Sequence, residues 1–289
     1  MASGTTETIL TMVHASLFSG IGGFDLAAEW AGWTNAFNCE IDSFCRKVLK
    51  YHFPYAEQYE DIKKSDFSKW RDRIDVLTGG FPCQSFSLAG KRRGTDDDRY
   101  LWPAMLGVIR TVRPRWVVGE NVYGIVNWSD GLVFDTVCSD LETAGYEVQP
   151  YIILAYGVGA PHRQDRCWFV AHRADTGIET MREGKDSLYA DEFVAHAYGQ
   201  RCEECNASEK SSQTQGLSIQ NGNGKRRIPD WSGFPTESPV CDRNDGFPGE
   251  LAGISFPAWC RESIKACGNA IVPQVALQIF KTIEEYEKQ

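Results

Sequence analysis

Val13-His14-Ala15-Ser16-Leu17-Phe18-Ser19-Gly20-Ile21-Gly22-Gly23 reads as a strand, a glycine turn and the start of a helix. The strand runs from Val13 to Phe18, and the helix opens at Gly22-Gly23 and continues through Trp30. Glycines at such a junction let the backbone turn tightly and let a ligand approach the helix N-terminus. The strict G-x-G-x-x-G spacing of a nicotinamide dinucleotide site is absent, because Phe24 and Asp25 follow the last glycine. Outward from this stretch the alternation repeats. Strands are predicted at Asn35 to Cys39, Ile74 to Leu77, Arg115 to Gly119, Val148 to Ala155 and Arg166 to Ala171. Helical spacing falls at about Asp42 to Tyr51, Leu101 to Val112, Leu132 to Ala144 and Ile271 to Tyr286. Such alternation predicts an α/β fold built on a doubly wound, mostly parallel sheet.

After about Arg173 the periodic apolar signal fades, and Gly, Ser, Asn, Gln and charged residues dominate to about residue 260. A polar insert followed by a return to helix predicts a second module spliced into the first, against a long tail before one last helix. Residues 1–12 are polar and read as a short leader without the apolar stretch of a signal peptide. No apolar run reaches the roughly 18 residues a membrane span needs. The ten cysteines are scattered, which fits a reducing, cytoplasmic setting better than a disulfide framework. Cys202-x-x-Cys205 has zinc-like spacing, and His196, Cys241 and Cys260 lie within reach in sequence, but a single pair is weak and no metal is expected. A net charge of −9 argues mildly against a nucleic-acid partner. Local basic patches at Lys91-Arg92-Arg93 with Arg99, and at Lys225-Arg226-Arg227, run the other way, unless they are solvated faces.

Five places carry chemistry. Glu40 closes the second strand roughly 20 residues past the glycine turn, where an acidic side chain can accept from both ribose hydroxyls of an adenosine ligand. It can equally serve as a carboxylate at a helix N-terminus. Asp61-Ile62 can meet an adenine edge. Gly79-Gly80-Phe81-Pro82-Cys83-Gln84-Ser85 follows the apolar Ile74 to Leu77 run, at the strand end where open α/β sheets place their chemistry. Cys83 is the nucleophile candidate, against a structural thiol. Glu120-Asn121-Val122 ends another apolar strand. Adjacent parallel strands would set a thiol and a carboxyl group on one pocket. The pair suits attack on carbon 6 of cytosine, with the acid supplying a proton at ring nitrogen 3. Carbon 5 then takes a methyl group from a sulfonium donor. Arg163 and Arg166 can bind the base carbonyl, orient Glu120 or hold phosphate.

These pieces, in this order, resemble the DNA (cytosine-5) methyltransferase family. The motifs carrying the resemblance are Phe18-Ser19-Gly20-Ile21-Gly22-Gly23, Gly80-Phe81-Pro82-Cys83-Gln84, Glu120-Asn121-Val122 and Gly268-Asn269-Ala270-Ile271-Val272-Pro273. The resemblance implies a Rossmann-like catalytic domain of residues 13–172 and 262–289 that uses S-adenosylmethionine, and a small target recognition domain at 173–261. It implies cofactor contacts from Phe18 to Gly23, Glu40, Ile41, Asp61, Ile62, Pro82, Leu101, Asn269 and Ala270. It implies catalysis by Cys83, Glu120, Arg166 and Arg163, and contacts to flipped-out duplex DNA from Gln84, Ser85, Ser87, Lys91, Arg92, Arg93, Arg99 and Asn121. A monomer working beside a cognate restriction endonuclease is the expected setting. The family often carries Gln-x-Arg-x-Arg, whereas this chain has His162-Arg163-Gln164-Asp165-Arg166, so Arg166 matches the second arginine and Gln164 holds the place of the first. Transfer of cytosine methylation to tRNA, a silent DNA-binding protein and a nicotinamide oxidoreductase are the competing readings.

Overall fold

Strand β1 (Val13–Leu17) sends Ala15 and Leu17 to one face of the sheet and His14 and Ser16 to the other, and all four are fully buried. Period-two alternation with both faces covered is what a central strand of a doubly wound sheet requires. The computed structural model describes residues 11–82, 100–174 and 256–289, all within one compact unit. The remaining strands are β2 (Thr34–Cys39), β3 (Glu57–Tyr59), β4 (Val76–Gly80), β5 (Trp116–Val122), β6 (Tyr146–Leu154) and β7 (Asp165–Arg173). The helices are α1 (Gly23–Ala31), α2 (Ser43–His52), α3 (Trp102–Val112), α4 (Leu132–Thr143), α5 (Phe256–Asn269) and α6 (Pro273–Glu287).

The sheet order is β3-β2-β1-β4-β5-β7-β6. The pairs from β3 to β5 are parallel, and β7 runs antiparallel to both β5 and β6. The doubly wound, mostly parallel expectation holds, and the antiparallel end has a simple cause. The link from Ala155 to Gln164 is too short for a crossover helix, so β7 must return beside its predecessor. This reversal has a chemical consequence. The start of β7 lands on the same rim as the ends of β4 and β5.

Apolar residues on the two faces form separate clusters. On one, α3 and α4 bring Trp102, Met105, Ile109, Val137 and Leu141 to Leu17, Leu77, Val117 and Phe169. On the other, α1 and α6 bring Phe24, Ala27, Val275, Leu277 and Phe280 to Val76, Val118 and Trp168. Trp33 stacks on Phe280 at 4.4 Å between ring centroids, fixing α6 beside α1. Helix α2 buries Phe44, Cys45 and Val48 in one cluster with Ala266 of α5. The C-terminal helices therefore complete the first α/β layer.

Met12, expected as the end of a leader, is 1% exposed and packs in the α1–α6 cluster, and its carbonyl accepts from Thr34 N–H. Helix α5 begins at Phe256, ahead of the expected return to the catalytic domain at residue 262. The rest of the leader, most of the insert, Cys202, Cys205 and the patch at residues 225–227 lie outside the described residues. Among the described residues no helix is long and apolar enough to cross a membrane.

Candidate active site

The turn after β1 is held in a conformation that glycine favours. Gly20 and Gly22 have φ of 55° and 87°, and Phe18 joins them at 52° despite its bulk. A side chain at Gly20 would meet nothing within 4 Å among the described residues, which leaves this part of the turn open to them. A Cβ at Gly22 would fall 2.4 Å from Phe53 and one at Gly23 2.7 Å from Ile271. Gly22→Ala is expected to lower stability by roughly 2–4 kcal/mol, since left-handed strain and overpacking add. Urea denaturation measures that loss.

Glu40 follows β2 and grips the turn. Its Oε2 accepts from Gly20 N–H at 2.7 Å, and its Oε1 accepts from Asp42 N–H at 2.8 Å. It is not the helix cap: Asp42 caps α2, accepting from Phe44 N–H at 2.9 Å and Cys45 N–H at 3.2 Å. Ile41 between them is 64% exposed, an apolar side chain offered to solvent beside a carboxylate. Asp61 lies just past β3, where its carboxylate accepts from Lys63 N–H at 2.9 Å and pairs with Lys64. Ile62 packs against the α3–α4 cluster. Asn269 ends α5, and Ala270 and Ile271 lead into α6, with Ile271 against the glycine turn. Pro82 is exposed past β4, and Leu101 caps α3, half-buried.

At the neighbouring strand ends, Gly80 of β4 lies in register with Glu120 of β5. A Cβ on Gly80 would sit 3.0 Å from Glu120 Oε2, so the glycine makes room for the carboxyl group. Phe81 is buried against Trp102 and Phe169. Its carbonyl accepts from Asn121 Nδ2 at 2.9 Å, and Asn121 Oδ1 accepts from Val122 N–H. Asn121, expected at the DNA, is 4% exposed and ties the residue after β4 to β5. Cys83 follows Pro82 and lies outside the described residues, as do Gln84, Ser85, Ser87, Lys91, Arg92, Arg93 and Arg99.

Glu120 is 7% exposed, and burial pushes its carboxyl up to about 7 against the opposing pull of Arg166. Arg166 Nε stands 3.1 Å from Glu120 Oε1. The two are close enough to be an ion pair, yet the N–H is not aimed at the oxygen. Both atoms are buried without a hydrogen-bond partner among the described residues. A buried donor and acceptor left unmatched have capacity for a third group. The other arginine goes elsewhere. Arg163 is 76% exposed and donates to Asp165 at 2.9 Å. Gln164 instead donates from Nε2 to the carbonyl of Ala270 at 3.3 Å, joining the start of β7 to the loop before α6. The departure from the family spacing was the sequence signal for that residue.

A glycine turn after the first strand, an acid after the second and a buried acid at the end of the fifth define the Rossmann-like methyltransferase class. The family pattern described as C-5 cytosine-specific DNA methylase matches residues 12–243, and the chain belongs to that family. It is 35% identical over 162 residues to the Type II methyltransferase M.Eco47II of Escherichia coli, covering 55% of this chain and 39% of that protein. It is also 35% identical over 175 residues to the Type II methyltransferase M.AquIA of Picosynechococcus sp., covering 55% of this chain and 71% of that one. The chain thus spans about two fifths of the first relative's length. Its fold is similar to that of the S. pombe Dnmt2 methyltransferase, with a TM-score of 0.50 at 18% identity, covering 67% of this chain and 57% of that one.

Proposed function

We propose that this protein is a DNA (cytosine-5) methyltransferase acting on a cytosine turned out of duplex DNA. The observation that carries the reading is the buried, largely protonatable Glu120 carboxyl, in register with Gly80, three residues before Cys83. S-adenosylmethionine, when bound, supplies a methyl group on a positively charged sulfur. The residues present fit it. The open side of Gly20 admits a ligand, Glu40 retains lone pairs for ribose hydroxyls, and exposed Ile41 suits the adenine face. Phe18, Ser19, Ile21, Gly22 and Gly23 shape the turn, Asp61 and Ile62 are proposed to meet the adenine edge, and Pro82, Leu101, Asn269 and Ala270 complete the proposed set.

Cys83, as thiolate, adds to carbon 6 of the cytosine. Glu120 gives its proton to nitrogen 3, so that charge does not build on the ring. The unmatched Nε–H of Arg166 is available to the base, and its charge keeps Glu120 close by. Carbon 5 becomes nucleophilic, the form to which a bound methyl donor would pass its methyl group. Release would then need the carbon 5 proton to pass to solvent base and the nitrogen 3 proton to return to Glu120, with Cys83 leaving as thiolate. Extruding the base costs a few kcal/mol of stacking and pairing.

Residues 173–261 are proposed to read the DNA sequence, and Gln84, Ser85, Ser87, Lys91, Arg92, Arg93 and Arg99 to hold the strand around the extruded base. A restriction endonuclease of the same specificity is the proposed functional partner, as the Type II names of the relatives suggest. Lys91→Ala with Arg92→Ala is expected to weaken DNA binding and to reduce the slope of log K against log salt by about 2, one unit per lost phosphate contact. A titration between 50 and 200 mM salt reads it (a range over which phosphate contacts dominate). The activity itself is tested with methyl-labelled S-adenosylmethionine and either mixed duplex DNA or tRNA. Label in 5-methylcytosine of DNA supports the reading, and label confined to tRNA transfers the substrate to RNA.

A further inference from the structure

Under α1, the face of β1 that would ordinarily be apolar carries Ser16, and α1 presses Asp25 against it. Asp25 is 0% exposed, and Ser16 Oγ donates toward its two carboxyl oxygens at 3.0 and 2.9 Å. Ser16 Oγ also lies 2.7 Å from Ser19 Oγ. Ser19 in turn accepts from Cys39 N–H at 3.1 Å, and its hydroxyl reaches the carbonyls of Ser16 and Cys39 at 3.2 and 3.3 Å. A continuous line of polar contacts therefore joins α1, β1, the glycine turn and the end of β2. Its far end is the residue before Glu40, whose carboxylate holds Gly20 N–H.

This face of the sheet also buries His14 and Thr78, which hydrogen-bond to each other, but Asp25 is the one carboxyl group among them, and an apolar side chain of similar size would avoid its desolvation. Nor does Asp25 cap α1, whose N-cap is Gly22 without a side-chain hydrogen bond. We infer that Asp25 is a positioning residue for the cofactor, fixing the glycine turn against Glu40 through Ser16 and Ser19. The inference rests on the proposed methyltransferase reading and adds to it a residue that touches neither cofactor nor base. Burial pushes the Asp25 carboxyl up to about 7, with the nearby Glu29 adding slightly. A carboxyl that keeps its proton can donate to Ser16 Oγ, which frees the Ser16 hydrogen for Ser19 and the Ser19 hydrogen for the Cys39 carbonyl. A neutral amide can support the same chain.

The test is calorimetric binding of S-adenosylhomocysteine to full-length wild type, Asp25→Asn, Asp25→Ala, Ser16→Ala and the Asp25→Ala/Ser16→Ala double variant, with melting temperature followed alongside. Asp25→Asn is expected to bind within twofold of wild type. Asp25→Ala and Ser16→Ala are each expected to bind about tenfold more weakly, and the double variant no more weakly than the weaker single. With saturating cofactor, kcat for labelled methyl transfer is expected to stay within about threefold, so the change falls on KM. Should Asp25→Ala fail to fold, Ser16→Ala and Asp25→Asn carry the comparison. Wild-type affinity in Ser16→Ala and Asp25→Ala, with only the melting temperature lowered, would overturn the inference alone, as would Asp25→Asn binding as weakly as Asp25→Ala. Absence of binding by the wild type would overturn the cofactor reading and the inference together.

Discussion

Cys83→Ser is expected to reduce methyl transfer to DNA by a factor of about 10⁴ or more, because it removes the group that forms the covalent bond. A serine hydroxyl is almost wholly protonated near neutral pH. Carbon 6 of cytosine is a poor electrophile, so addition needs a thiolate. Binding of cofactor and DNA is expected to persist, which separates lost chemistry from lost folding. The measurement is transfer of labelled methyl groups at saturating DNA, beside a gel-shift titration. Activity within tenfold of wild type would remove Cys83 from the nucleophile role.

Glu120→Gln is the second large effect, with an expected loss of roughly 10²–10⁴ in kcat. The amide keeps the shape of the side chain and an oxygen near Arg166, yet it has no proton to transfer. The pH profile adds a sharper reading. With the Glu120 carboxyl pushed up to about 7, the acid form is depleted above that pH, so the wild-type rate is expected to fall on the alkaline side. A thiolate nucleophile requires the opposite, which yields a bell. Glu120→Gln is expected to lack the falling limb. Stability moves separately. A buried acid with a raised pKa contributes fully below its unfolded value of 4.5, and its contribution is lost as pH rises through about 7. The glutamine variant is therefore expected to hold its denaturation midpoint better than wild type as pH rises from 4.5 to about 7. An unaltered pH–rate profile in Glu120→Gln would take away the proton-donor assignment.

The sheet was legible because its central strands are short, apolar and bounded by glycine. Leu77, Val117 and Val118 form runs that only a two-sided strand explains, and Gly22 and Gly80 punctuate them at the rim. What the sequence hid was direction. Nothing in the residues from Val148 to Ala171 announces that β7 turns back between β5 and β6; only the short link from Ala155 to Gln164 does so, and its meaning depends on where β6 lies. That reversal sets Arg166 opposite Val122, two pairs from Glu120. Sequence spacing favoured Arg166 over Arg163, and geometry supplies the reason, since Arg163 precedes the strand and points to Asp165. Asn121 shows the converse. An asparagine beside a catalytic motif suggests a DNA contact, and its spacing gives no hint that its amide also joins the Phe81 carbonyl to Val122 N–H. Asp25 and Ser16 escaped notice because polar residues in a strand and a first helical turn look like surface, and only burial reveals the contacts between them.

Bisulfite sequencing of plasmid DNA from cells making either the wild type or Cys83→Ser tests the central claim most directly. The account predicts protected cytosines at one short recurring sequence with the wild type, and none with the serine variant. Plasmid free of protected cytosines in both strains, or protected equally in both, would contradict it.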